Sequence, residues 1–292
     1  MKKTFIFCLI TLFTVSAIGI QGRKKKDITE SNTPSTKFHI NYRYWDKQVI
    51  NNCGFKGFPE NSFIGLEEAV MQGFQTVKCD VAFSKDDVPI LSHSPRLERS
   101  TYKTGLTTDY TIRELIDFDF GIKTHEKFRG THVTTLNQIL LLCRRNNVML
   151  EIDCSDKERF PNSRYQCLYN YVKKNGMLES TIFCDNAENL ETLLDIDPNV
   201  IISIHKCINK KDIDKALDVA KRAQAADFSI RKSLVSQTLI DYIHEKGFPI
   251  KVWNVDDLND LKNFVKMGVD RIVSKEYGPK FNYRIVEMEL ED

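Results

Sequence analysis

Four charged residues sit in runs that otherwise look like buried strand. Lys78 and Asp80 interrupt QTVKCDVAF, and Glu151 and Asp153 interrupt VMLEIDC. Residues two apart on a strand point to one face, so each pair faces one way. A charge inside an apolar strand is costly unless it is paired or coordinated. The four are therefore expected to meet, at the mouth of whatever the strands build. Other polar residues end nearby runs: Asn52 before Cys53-Gly54, His93 after VPILS, His205 after VIISI, and Trp253 near the C-terminus. Carboxylates and an ammonium at this spacing make an ion cluster. An imidazole beside it can take or give a proton.

The elements that must position these residues alternate. Short apolar runs at 48–53, 75–83, 147–153, 180–184, 199–205, 226–230, 248–254 and 269–274 read as strands. Between most of them apolar residues recur at three- and four-residue spacing, the helical period. Helices are expected at 62–73, 135–146, 163–175, 187–195, 211–224, 234–246 and 257–267, with Asn61 capping the first. Eight strands, each followed by a helix or a long crossover, predict a (β/α)8 TIM barrel. Residues 88–93 follow the second strand too closely for a parallel crossover. They are expected to fold back as a short return. Residues 94–134 then form an insertion after the second strand, with one helix at 111–118.

The chain has 292 residues, 41% hydrophobic and 28% charged, which suits one barrel of about 250 residues. A net charge of +2 gives no global basic excess, so nucleic acid is not an expected partner. Lys2 and Lys3 precede an apolar run from Thr4 to Ile20 that contains Ser16, Ala17 and Gly19. This is a secretory-signal pattern, with cleavage expected at Ala17-Ile18-Gly19. The protein is thus expected to be exported, to a periplasm or outside the cell, with no stable membrane span afterwards. An uncleaved N-terminal anchor is the alternative, because Arg23 to Lys26 hinder export. The expected organisation is signal peptide 1–20, linker 21–46, barrel 47–280 and tail 281–292. Seven cysteines follow the signal, an odd number with no C-x-x-C pair, and read as small buried hydrophobes.

The ordered motifs resemble those of the glycerophosphodiester phosphodiesterase family, one of the phospholipase C-like phosphodiesterase barrels. The family runs H-R-G, P-E-N-T, E-x-D, K-D-G, H-D, R-T, I-E-x-K, W-T-V-N and G-V-D-x-I-x-T-D. Here stand Asn52-Cys53-Gly54, Pro59-Glu60-Asn61-Ser62, Lys78-Cys79-Asp80, Lys85-Asp86-Asp87, His93-Ser94 and Arg99-Ser100. Leu150-Glu151-Ile152-Asp153, Trp253-Asn254-Val255-Asp256 and Gly268-Val269-Asp270 through Lys275 follow. The resemblance implies cleavage of phosphodiesters of glycerol or of phospholipid headgroups. Two histidines would act as acid and base, and a divalent cation, calcium or magnesium, would be held by carboxylates.

Carried over by position, His93 is the second histidine, and Asp80 and Glu151 are two metal ligands. Glu60 and Asn61 belong to the substrate-binding loop, and Trp253 is the aromatic wall. The first histidine is Asn52, an amide that cannot exchange a proton near neutral pH. The third ligand is Lys78, which cannot bind a cation. Cys53 replaces an arginine, and Asp153 replaces a lysine. Lys78 is expected to take the vacated cation position, pairing with Asp80 and Glu151, so that the divalent cation is absent or weak. Asp153 is expected to make the mouth more negative. Loss of one acid/base partner costs about 10²–10⁴ in rate, so the family's route is expected to be impaired. The alternative is a non-catalytic protein that binds a small polar or headgroup ligand in the same mouth. Among the remaining histidines, His205 is the best placed substitute base, because it ends a strand. His125, His132 and His244 read as surface or packing residues.

Overall fold

The computed structural model describes residues 47–154 and 161–278. The expected signal peptide, the linker and the 281–292 tail lie outside the described residues. Eight parallel strands close on themselves: β1 (Gln48–Asn52), β2 (Thr76–Phe83), β4 (Met149–Asp153), β5 (Thr181–Asn186), β6 (Ile201–His205), β7 (Ala225–Arg231), β8 (Ile250–Trp253) and β9 (Arg271–Ser274). β1 pairs with both β2 and β9, which completes the ring. This is the (β/α)8 barrel. The short strand β3 (Pro89–Leu91) runs antiparallel on β2, the expected return.

The helices are α1 (Phe63–Met71), α2 (Ile112–Leu115), α3 (Leu136–Asn146), α4 (Asn162–Lys174), α5 (Ala187–Ile196), α6 (Lys210–Arg222), α7 (Gln237–Glu245) and α8 (Leu258–Lys266). Several begin with a side-chain cap: Ser62, Asn186, Asn209, Ser236 and Asp257 each accept a backbone N–H of the first turn. Asn61 was the expected cap of α1, but Ser62 holds that place. Asn61 lies in the left-handed region, at φ 56°. Its amide is committed to Asp80 instead, donating to Oδ2 at 2.8 Å and accepting from the Asp80 N–H at 2.9 Å. α1 sits tightly on the loop after β1. A Cβ on Gly65 would stand 2.9 Å from the Pro59 carbonyl oxygen, so only glycine fits there.

The main core lies between the outer faces of the strands and the helices, with Cys79, Ile152, Phe183 and Ile202 packed against Leu140, Leu168 and Leu193. Inside the barrel, Met149, Ile182, Ile201 and Ala225 plug the lower end. Above them the interior turns polar, and the strand registers set the heights: Lys78 is level with Glu151, and Asp80 with Asp153. All seven cysteines after the expected signal are free thiols, and six are buried. Among the described residues no helix is long and apolar enough to cross a membrane.

Candidate active site

The C-terminal ends of the strands surround a cavity of about 560 Å³. Lys78, Asp80, His93, Asp153, His205 and Trp253 line it, together with Asn52 and Glu60. The backbone at its edge is held in unusual conformations. Cys53, Lys206 and Asn254, each just after a strand end, have φ between 62° and 65°. Such positions cost about 1–3 kcal/mol each and cluster at functional sites.

Lys78 is the centre of the floor. Its Nζ is 2.7 Å from Asp80 Oδ1 and 2.8 Å from Asp153 Oδ2. Burial alone would favour a neutral amine. Asp153 and then Asp80 outweigh it, holding the Lys78 pKa well above the ordinary lysine value. In return, Lys78 overcomes the burial of both carboxylates. It holds Asp80 below the usual range, and with His205 it holds Asp153 well below. Asp80 also accepts from Asn61 and from the Cys53 thiol, at 3.1 Å. That thiol is pushed well up by burial and then by Asp80, so it is no nucleophile.

The expected Lys78–Glu151 pair does not form. Glu151 Oε2 lies 2.6 Å from Lys251 Nζ, and both side chains are at most 1% exposed. Lys251 rises from β8 across the barrel and takes Glu151, although Glu151 is the register neighbour of Lys78. The long Lys78 stem reaches upward to Asp80 and Asp153 instead. Below the mouth the network continues through Asp227, which is 3.0 Å from Arg271 and accepts from Ser203. Asp153, expected to make the mouth more negative, has its charge met by Lys78, and among the described residues five cationic side chains and four carboxylates line the cavity.

The remaining expected residues fall as follows. His93 lines the cavity and is exposed. Asn52 lines it too, with its Oδ1 3.3 Å from the Cys53 sulfur. Glu60 is gripped by Arg99 at 2.9 Å and Lys275 at 3.3 Å. Trp253 forms part of the wall, with the His205 ring edge-on at 5.7 Å. Asn61 does not line the cavity: it is 5% exposed and orients Asp80. His205 is brought in, with Nε2 3.3 Å from Asp153 Oδ2. Sequence reasoning missed Lys251, Arg271 and Asp227 inside the barrel, and Arg231 and Lys206 at its rim. The first three carried the same signal as Lys78, a charge within an apolar strand.

Whether these residues suit the divalent cation implied by the resemblance is a question of free oxygens. Hard cations need several oxygens at about 2.3–2.6 Å for calcium and 2.0–2.1 Å for magnesium. Glu151 is held by Lys251, and one oxygen each of Asp80 and Asp153 is held by Lys78. Among the described residues two groups bring donor atoms within 4.8 Å of one another, Cys53–Glu60–Asp80 and Asp153–Cys184–His205. Each depends on a carboxylate that already carries the Lys78 ammonium. The residues at the implied position do not fit a hard divalent cation.

A sequence model of the glycerophosphoryl diester phosphodiesterase family matches residues 54–277. A glycerophosphodiester phosphodiesterase of Caldanaerobacter subterraneus subsp. tengcongensis is 23% identical over 223 residues, 76% of this chain and 90% of its own. One from Bacillus altitudinis is 24% identical over 233 residues, 77% of this chain and 93% of its own. Among solved structures, an Oleispira antarctica phosphodiesterase in complex with the product sn-glycerol-3-phosphate superposes with a TM-score of 0.75 at 20% identity. It covers 86% of this chain and 99% of its own. A glycerophosphodiester phosphodiesterase from Agrobacterium tumefaciens gives 0.65 at 22% identity, covering 79% and 96%. At these identities the superpositions show the common fold.

Proposed function

The chain belongs to the glycerophosphoryl diester phosphodiesterase family, and from that premise we propose that its mouth takes up phosphodiesters of glycerol or of phospholipid headgroups without a divalent cation. Lys78 supplies the fixed positive charge, and the family's metal and two-histidine route is impaired. The observation that carries this reading is the Lys78 ammonium lodged between Asp80 and Asp153. An ammonium has three donors. Two are spent on the carboxylates, and the third, among the described residues, has the Cys53 sulfur at 3.9 Å. A phosphate oxygen is a stronger acceptor than that thiol. The rim adds Arg99, Lys206, Arg231 and Lys275, a setting that favours an anion.

Asn52 favours a second reading, a binding protein without turnover. Its amide can contact a phosphate but cannot move a proton. The test combines turnover of glycerophosphocholine and glycerophosphoinositol, with calcium, magnesium or chelator, and calorimetry with sn-glycerol-3-phosphate. Phosphate binding that survives chelator is expected. A requirement for calcium or magnesium overturns the role of Lys78. Binding without turnover selects the second reading. Export is part of the proposal, on the N-terminal signal pattern, and N-terminal sequencing of the mature protein tests it.

A further inference from the structure

Asn52 removes one imidazole from the mouth, but another stands on the facing wall. Asn52 ends β1 and His205 ends β6, and four strand steps separate them in either direction around the ring. Few side chains in the cavity can exchange a proton near neutral pH. Asp80 and Asp153 are held as carboxylates by Lys78. Glu60 is held below its usual range, Lys275 and then Arg99 outweighing its burial. Burial pushes the Cys207 thiol to about 12. Among the described residues that line the cavity, two imidazoles remain, His93 and His205.

They differ in setting. His93 is exposed, on the loop after β3. His205 is 9% exposed, edge-on to Trp253, with Nε2 3.3 Å from Asp153 Oδ2. Its ring is fixed by a carboxylate on one side and an indole on the other. Resting on the phosphodiester reading above, we propose that His205 is a catalytic acid of this chain, working across the cavity from His93 as the base. In phosphodiester hydrolysis the entering and leaving oxygens lie roughly in line through phosphorus. Proton carriers on separate walls suit that geometry. Water attacks phosphorus and gives its proton to His93. The P–O bond to the leaving alcohol breaks, and the His205 imidazolium protonates the departing oxygen. One proton is taken and one is given, and the products are a phosphomonoester and an alcohol. Exposure to solvent assigns the water side to His93. The Asp153 carboxylate matches an imidazolium in charge, which assigns the acid to His205.

A general acid is needed for an alkoxide leaving group and hardly at all for p-nitrophenolate. His205→Gln is therefore expected to lower turnover of glycerophosphocholine by about 10²–10⁴-fold, while cleavage of bis(p-nitrophenyl) phosphate changes little. Affinity for sn-glycerol-3-phosphate should stay close to wild type, showing that the site is intact. Asp153→Asn should show the same contrast in weaker form. Equal loss on both diesters overturns the inference, because a merely structural histidine would slow both. Wild-type protein that binds sn-glycerol-3-phosphate yet cleaves neither diester also overturns it, and leaves the phosphodiester reading standing. Failure to bind the phosphate at all removes that reading itself, and the inference with it.

Discussion

Two ion clusters share the interior of one barrel, and they answer the same problem differently. The lower one joins Glu151, Lys251, Asp227 and Arg271, all at most 1% exposed. It contains two cations and two carboxylates, and of these four only Glu151 reaches the floor of the cavity. The upper one joins Lys78, Asp80, Asp153 and His205, all 7–9% exposed, and it opens on the cavity. There one ammonium serves two carboxylates and an imidazole completes the set. Glu151 and Asp153 are two residues apart on β4 and face the same way, yet one is tied to the buried layer by Lys251 and the other to the mouth by Lys78. Position in the layers, more than residue type, separates a charge that holds the barrel from one that can meet a ligand.

The sharpest way to break this comparison is to remove one cation from each cluster. Lys251→Met leaves Glu151 and Asp227 in a buried layer without their shared lysine. Breaking a buried pair in this way costs about 3–5 kcal/mol, read as a lower midpoint in urea. Lys78→Met should cost less, because cavity water and Asn61 can still serve Asp80. Equal losses would mean that the two layers are not different environments. A companion variant adds a positive result. Lys78→Glu places a third carboxylate beside Asp80 and Asp153, and calorimetry should detect calcium or magnesium binding by this variant and none by wild type. Tight, specific binding by wild type at this position would sink the Lys78 reading.

Acid should act on the upper cluster in a defined direction. Asp80 and Asp153 have folded pKa values below the unfolded value of about 3.9. Their contribution is therefore fully present above that value. It is lost as pH falls through the folded values, because the unfolded state then binds more protons. Lys78 is shifted the other way, so its contribution persists below about 10.4 and disappears only as pH rises through its still higher folded value. The stability gap between wild type and Lys78→Met should thus be level between about pH 5 and 9 and narrow below about pH 4. A gap that widens in acid would contradict the pairing. Thermal melts across this range measure it.

The frame of the fold was legible because it rests on local rules. Strand alternation, helical spacing and the short 88–93 return each need only neighbouring residues. The family frame was legible from ordered motifs. The pairing inside the barrel was not, because it is decided between distant strands. Lys251 lies 100 residues after Glu151 and reaches it across the ring. No spacing within β2 or β4 reveals that Glu151 is already taken. The buried charges of β7, β8 and β9 were open to the same test that singled out Lys78. Applying it there would have supplied two cations and one carboxylate, enough to warn that Glu151 had other suitors. Asn61 shows the opposite error. Its type and position suggest a helix cap or a substrate contact, and only the left-handed backbone turns its amide onto Asp80.

The smallest predicted change lies at the rim, where an ion pair should govern binding and hardly affect the fold. Glu60 holds Arg99 and Lys275, with side chains 28%, 44% and 39% exposed. Pairs in such contact with water contribute about 0–1 kcal/mol, so Glu60→Gln should leave the urea midpoint nearly unchanged. The carboxylate nevertheless occupies two cations that an entering phosphate would use. Neutralising it removes a competitor and a like charge together, so sn-glycerol-3-phosphate should bind more tightly, and more so at low salt, where screening is weaker. A drop in affinity would show that Glu60 orients Arg99 and Lys275 for the ligand instead of competing with it. A stability loss of several kcal/mol would place Glu60 with the buried lower cluster, and the line drawn between the two layers would have to move outward.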